Sequence, residues 1–211
     1  MAAPHSIFLA SSNAEKLREY RELAIGDAIH MELLPHFDRL PAFDETGQSF
    51  AENAAGKAIH YSRLANGLIF ADDSGLVVPA LAGSPGVRSA RYAGLNATPA
   101  QRNAKLLAEM RGLAGGERDA RFVCVIAIAE GGNVNAILSA AASGRILEEP
   151  RGEGGFGYDP VFLVPELGRT FAQLSPEEKN HRSHRGNAFR KLVAFLRNAD
   201  FTGLSFARSA T

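Results

Sequence analysis

Short apolar runs alternate along the chain with longer stretches in which apolar residues return every three or four positions, and the two patterns predict strands and helices. Ile7 to Ala10 is a run of strand length. Leu17, Tyr20, Leu23 and Ala24 then recur at helical spacing, so Ser11, Ser12 or Asn13 caps a helix through Ile25. Met31 to Leu34 predicts a second strand, and Pro35 and Pro41 bracket a loop that carries Asp44 and Glu45 to a helix capped at Thr46. From Ser49 to Leu64, the residues Phe50, Ala54, Lys57, Ala58 and Tyr61 share one helical face, and Asn66-Gly67 stops the helix before the strand Leu68 to Ala71. Asp72 and Asp73 therefore fall at the C-terminal end of a strand.

Gly83 to Asn96 is rich in Gly, Ser and Pro and predicts a loop, after which Thr98-Pro99 opens a helix to about Met110, ended by Gly112 to Gly116. Phe122 to Ala129 and Val134 to Ala141 read as an antiparallel hairpin turned at Gly131-Gly132. Beyond a glycine-rich loop at Gly152 to Gly157, Pro160 to Val164 predicts a short strand, and Ser175-Pro176-Glu177-Glu178 opens a helix to about Leu196. The pattern is that of an α/β protein with a mixed sheet. No repeat and no linker divides the 211 residues, so one domain over 1–211 is expected.

Hydrophobic residues make up 45% of the chain and charged ones 22%, enough apolar matter for a real core. Lys plus Arg and Asp plus Glu are equal at 23 each, so no overall field holds the protein on nucleic acid or an anionic membrane, and any anion site must be local. Cys124 is the only cysteine and lies in an apolar run, which predicts a core residue rather than a reactive thiol. The first apolar run is too short for a signal segment and none approaches membrane-spanning length, so the expected location is the cytoplasm.

The most informative stretch is Ala71-Asp72-Asp73-Ser74-Gly75. Two adjacent carboxylates after a buried strand repel each other unless a cation or a proton lies between them, and magnesium is the natural cation. The plainer alternative is a turn in which one Asp faces solvent and the other caps it. Asp44-Glu45 adds a second acidic loop, and two loops that follow strands can meet at one sheet edge and share a metal with phosphate oxygens.

Ser11, Ser12, Asn13, Ala14, Glu15 and Lys16 join the first strand to the first helix, where backbone N–H groups and Lys16 can hold an anion; simple capping is the alternative. Gly152 to Gly157 matches the dinucleotide-binding glycine pattern, but a charged turn precedes it and a strand follows, which excludes that reading. What remains is a loop presenting Phe156, Gly157, Tyr158 and Asp159, suited to stacking a base or to a tight turn with core aromatics. Lys179, Arg182 and Arg185 share a helical side, and His181 and His184 lack the spacing of a zinc hydrolase helix.

Together these residues resemble the inosine triphosphatase or Ham1-like family of nucleoside triphosphate pyrophosphatases, which act on non-standard purine nucleotides. The resemblance rests on Ser-x-Asn-x-x-Lys at 11 to 16, Glu-Thr-Gly at 45 to 47, Phe-x-Glu-Asn-Ala at 50 to 54 and Ala-Asp-Asp-Ser-Gly-Leu at 71 to 76. It continues through Gly-x-Pro-Gly-Val-x-Ser-Ala-Arg-Tyr at 83 to 92, Gly-Gly-Phe-Gly-Tyr-Asp-Pro at 154 to 160 and Ser-His-Arg-Gly at 183 to 186. Ser11 stands where threonine is frequent and Asp44 where a second glutamate is frequent; both keep the functional group.

The resemblance implies an elongated two-lobed fold with a central nucleotide cleft, a homodimer, Mg2+ as cofactor, and ITP, dITP and XTP as substrates. It makes Asp73 the proton acceptor and a metal ligand, with Asp44 and Glu45 at the metal. It assigns Ser11 to Lys16 to the phosphates, and Ser74, Phe156 to Asp159, Lys179, His184 and Arg185 to the rest of the nucleotide site. The rival readings are a sensing module that binds a triphosphate without cleaving it and a phosphatase that releases orthophosphate.

Overall fold

The computed structural model describes residues 5–26 and 29–198. In chain order the elements are β1 (His5–Leu9), α1 (Ala14–Ala24), β2 (Ile29–Leu33), α2 (Phe50–Ser62), β3 (Leu68–Val77) and α3 (Pro99–Glu109). There follow β4 (Asp119–Glu130), β5 (Asn133–Ile146), β6 (Phe162–Val164), β7 (Arg169–Thr170), α4 (Pro176–Arg182) and α5 (His184–Asn198). Among the described residues they form a seven-stranded sheet in the order β2-β1-β3-β4-β5-β6-β7. β1 runs parallel to β2 and β3, and the other pairs are antiparallel, so the sheet is mixed.

Side chains of a strand alternate between faces, and β3 shows what each face meets. Phe70 packs with Tyr20 of α1 and Phe189 and Leu192 of α5, whereas Ile69 and Ala71 pack with Ala54, Ala58 and Tyr61 of α2. Helices thus cover both faces. A third cluster gathers Leu106 of α3 and Met110, which caps that helix, with Phe122, Phe162 and Phe171 at the β6-β7 side. Each such large apolar side chain contributes roughly 1.5–3 kcal/mol by leaving water.

Several expected boundaries move, each for a physical reason. β3 does not end at Ala71 but continues to Val77, because β4 pairs with it throughout, Asp72 opposite Ile126 and Asp73 opposite Val125. The acidic pair therefore lies within a strand, not at its end. Ser49 rather than Thr46 caps α2, since its hydroxyl accepts from Glu52 N–H while Glu52 reaches back to the cap. The expected loop at 83 to 96 contains a 3₁₀ segment, Gly86–Arg91, and the strand expected from Pro160 starts only at Phe162.

The last helix is two helices. Ser183 turns extended between α4 and α5, its N–H donating to the Lys179 carbonyl and its hydroxyl accepting from Gly186 N–H at 3.0 Å. A side chain at Gly186 would run into the Asn180 carbonyl, so only glycine allows α5 to start this close to α4. The break also undoes the expected common face of Lys179, Arg182 and Arg185: the first and last are buried and Arg182 is exposed. No described helix is long and apolar enough to cross a membrane.

Candidate active site

A cleft of about 940 Å³ opens where β1, β3, α1, α2, the 86–91 segment, the 156–159 loop and the α4-α5 junction meet. α1 begins there because Asn13 caps it, its side chain accepting from Glu15 N–H at 3.0 Å and Lys16 N–H at 3.1 Å. Ser11 to Ala14 and Lys16 line the cleft; Glu15 does not, and its carboxylate faces Arg18 at 2.6 Å. On the acidic loop Glu45 lines the cleft, while Asp44 is exposed and outside the lining.

The pleat of β3 sends the two aspartates to opposite faces. Asp73 faces the α2 side and is 6% exposed, its Oδ2 accepting from Asn53 Nδ2 at 2.9 Å and its Oδ1 from Ser74 N–H at 2.9 Å. Asn53 is itself fixed by accepting from Gly47 N–H at 2.8 Å, which ties the acidic loop to Asp73. Burial raises the proton affinity of Asp73 above that of a free carboxylate; Asn53 and Lys16 oppose the shift and nearby Glu45 adds to it.

Asp72 points the other way, to Lys16 Nζ at 2.9 Å and Arg185 at 3.8 Å. Burial alone would raise it, but Lys16, Arg185 and Lys57 together hold its carboxyl below the ordinary value. The expectation of a cation between the two aspartates is therefore corrected: the strand separates them, and side-chain cations neutralise Asp72.

The other end of the cleft is built on Glu19 of α1. Its two oxygens accept from Lys179 at 2.6 Å and from Arg185, whose other amino group donates to Ser74 Oγ at 2.9 Å. Lys179 also donates to Asp159 at 2.6 Å, and Asp159 accepts from Phe156 N–H at 2.8 Å, which sets the aromatic loop. The Phe156 ring lies over both cations, 4.9 Å from Lys179 Nζ and 5.5 Å from the Arg185 guanidinium. His184 stacks on Phe122 at 4.7 Å; burial first, then Arg185 and Lys179, push its pKa well below the usual histidine value, so the ring is neutral. Its Nδ1 and the Nε of Arg185 are buried without a hydrogen-bond partner among the described residues. Tyr158 is anchored by donating to the Ser89 carbonyl at 2.9 Å.

Three residues of this site escape a reading of the sequence: Glu19, Asn53 and Lys57. Lys57, expected as part of a helix face, pairs with Glu45 and donates to the Asp72 carbonyl at 3.1 Å. Glu19 carried one signal, its position one helical turn beyond Lys16.

Among the described residues no three His, Cys, Asp or Glu side chains gather into a closed metal set. Glu45 and Asp73 are instead two carboxylates close enough for one to raise the proton affinity of the other, both lining the cleft. Two hard oxygen donors at a roomy wall fit an ion of the magnesium type, which takes one or two carboxylates, keeps waters and binds phosphate oxygens.

The family model described as Ham1 family matches residues 7–195. A protein of Geobacillus kaustophilus (strain HTA426), named dITP/XTP pyrophosphatase, is 50% identical over 186 residues, covering 88% of this chain and 91% of that protein. One of the same name from Gloeobacter violaceus is 48% identical over 89% of this chain and 92% of its own. A solved HAM1 protein from Coxiella burnetii superposes with a TM-score of 0.83 at 45% identity, covering 92% of this chain and all of its own. With sequence and fold matched over nearly its whole described length, this chain belongs to the Ham1 family.

Proposed function

We propose that the protein hydrolyses non-standard purine nucleoside triphosphates (ITP, dITP and XTP) to the monophosphate and pyrophosphate, acting as one domain over residues 1–211. The observation that carries this reading is the division of the cleft. Glu45, Lys57 and Lys16 stand around Asp73, and Phe156 and His184 stand around Arg185; the two groups meet at Asp72, which pairs with Lys16 and Arg185. A polyphosphate suits the first group and a purine the second. The relatives named dITP/XTP pyrophosphatase support the same substrate class.

Phosphoryl transfer leaves a protein mainly positioning and charge to supply. Asp73, raised by burial and held by Asn53 and Ser74, takes a proton from a water as that water's oxygen bonds to phosphorus and pyrophosphate departs. Lys16, at the start of α1, draws charge from the phosphates with the Ser11 to Ala14 backbone. Glu45 and Asp73 are the residues that would hold Mg2+, with Asp44 next to Glu45 on the acidic loop but outside the cleft lining; when bound, the ion neutralises phosphate charge and polarises the anhydride. Asn53 keeps Asp73 aimed, and Lys57 keeps Glu45 in place.

At the base end, Phe156 stacks on the purine, and Tyr158, Asp159, Gly157, Ser74 and Lys179 shape the pocket around it. Arg185 has only donors, so it pairs with a 6-keto oxygen and cannot satisfy a 6-amino group. Its buried Nε, like His184 Nδ1, has no hydrogen-bond partner among the described residues and is a group a bound base can complete. The reading carries with it a cytoplasmic homodimer that binds neither nucleic acid nor membrane.

The test is to incubate the protein with ITP, XTP, GTP and ATP, with and without magnesium, measuring nucleotide products and assaying pyrophosphate separately from orthophosphate. Monophosphate and pyrophosphate formed faster from ITP and XTP is the expected result. Orthophosphate with diphosphate would mark a phosphatase, and tight binding without turnover a sensing module.

A further inference from the structure

We infer that Arg91 grips the departing phosphates of the substrate, an assignment that rests on the triphosphate reading above. Among the described residues six lysine and arginine side chains line the cleft. Four are already matched by carboxylates: Lys16 by Asp72, Lys57 by Glu45, Lys179 by Glu19 and Asp159, and Arg185 by Glu19. A triphosphate brings several negative charges into a cleft whose lysines are largely neutralised. The remaining two cations, Arg91 and Arg102, have no carboxylate partner among the described residues.

Arg102 is committed to backbone. Its NH1 donates to the carbonyls of Ala90 at 3.1 Å and Ala97 at 2.6 Å, fastening the start of α3 to the 86–91 segment. Among the described residues Arg91 makes a single long bond, NH2 to the Glu45 carbonyl at 3.3 Å, and its other N–H groups are uncommitted. That bond places the guanidinium beside the acidic loop that carries Glu45.

The backbone beneath Arg91 is fixed. Ser89 Oγ donates to the Gly86 carbonyl at 2.6 Å and accepts from Leu76 N–H at 2.9 Å; Tyr158 holds the Ser89 carbonyl, and Lys105 donates to the Tyr92 carbonyl at 2.8 Å. A planar fork of donors on a rigid segment suits two oxygens of one phosphate at small ordering cost. Arg91 then neutralises the charge that builds on pyrophosphate as the anhydride breaks.

Calorimetric titration of pyrophosphate, a non-hydrolysable ITP analogue and IMP, each with magnesium, tests the assignment on the wild type, Arg91→Ala, Arg91→Lys and Arg88→Ala. Arg88 is exposed on the same segment and outside the cleft lining, so its variant should behave as wild type. Arg91→Ala should melt like wild type and weaken pyrophosphate and the analogue about tenfold or more, leaving IMP within about twofold, with partial recovery in Arg91→Lys. Unchanged pyrophosphate binding would overturn the assignment. So would equal weakening of all three ligands, which marks Arg91 as a support of the acidic loop. Turnover of ITP is measured alongside: Arg91-dependent pyrophosphate binding without ITP cleavage supports Arg91 and refutes hydrolysis, whereas ITP cleavage with unaltered binding in Arg91→Ala refutes Arg91 alone.

Discussion

Asp73 and Asp72 are neighbours in sequence with opposite tasks, because the pleat gives one a cleft and the other a set of cations. Asp73→Asn keeps the shape but has a single acceptor oxygen, so it retains only one of the contacts to Ser74 N–H and Asn53 Nδ2, and it removes the base. Turnover should fall by about 10²–10⁴, with the fold retained by circular dichroism; near-normal activity at saturating magnesium would remove Asp73 from the mechanism. Arg185→Ala should narrow the ratio of ITP to ATP hydrolysis, and an unaltered ratio would deny it the reading of the base edge. The neutral His184 makes a claim about pH. Its lowered pKa means that the folded protein binds fewer protons at this ring than the unfolded chain does. Its contribution to stability is full above about pH 6.5 and falls as pH drops below that, by up to about 1.4 kcal/mol per unit. His184→Asn should therefore flatten the loss of melting temperature between about pH 7.5 and about pH 5.5. Much of this was legible in the residues: Asp73, Lys16 and Arg185 stand in distinctive company. Glu19 was not, since a glutamate between Arg18 and Tyr20 reads as a solvated helix position, and its partners lie 160 and 166 residues away.

Elements were legible where periodicity decides them and obscure where a distant partner does. The helices at 14–24 and 99–109 follow from spacing and caps, and the one at 50–62 from spacing, its expected cap at Thr46 giving way to Ser49. Asp-Asp-Ser-Gly has the composition of a turn, and only the unbroken register with β4 makes it strand. The break at Ser183 depends on how tightly α5 meets α4, which a helical repeat of apolar residues cannot express. Two substitutions address these elements. Ser49→Ala removes one half of the capping box and should cost about 1 kcal/mol, read as a lower denaturant midpoint. Gly186→Ala drives a methyl group against the Asn180 carbonyl. Because Lys179 and Arg185 sit on either side of that junction, it should raise the KM for ITP as well as lower stability by roughly 1–3 kcal/mol.

At the scale of the molecule, the sheet holds α1 and α5 on one face and α2 on the other, so β3 supplies both the cleft carboxylate Asp73 and, in Asp72, the anchor for two cations. Chelation should stop turnover and added magnesium restore it without a change in secondary structure, as circular dichroism would show. Asp72 meets Lys16 and Arg185, Arg185 meets Glu19, and Glu19 meets Lys179 and through it Asp159 and Phe156. Anyone seeking to redesign this protein to accept adenine by recasting the pocket around Arg185 would also be altering the grip on the phosphates. Base preference and reaction rate are not separate dials here, and variants selected for one should be found to have drifted in the other.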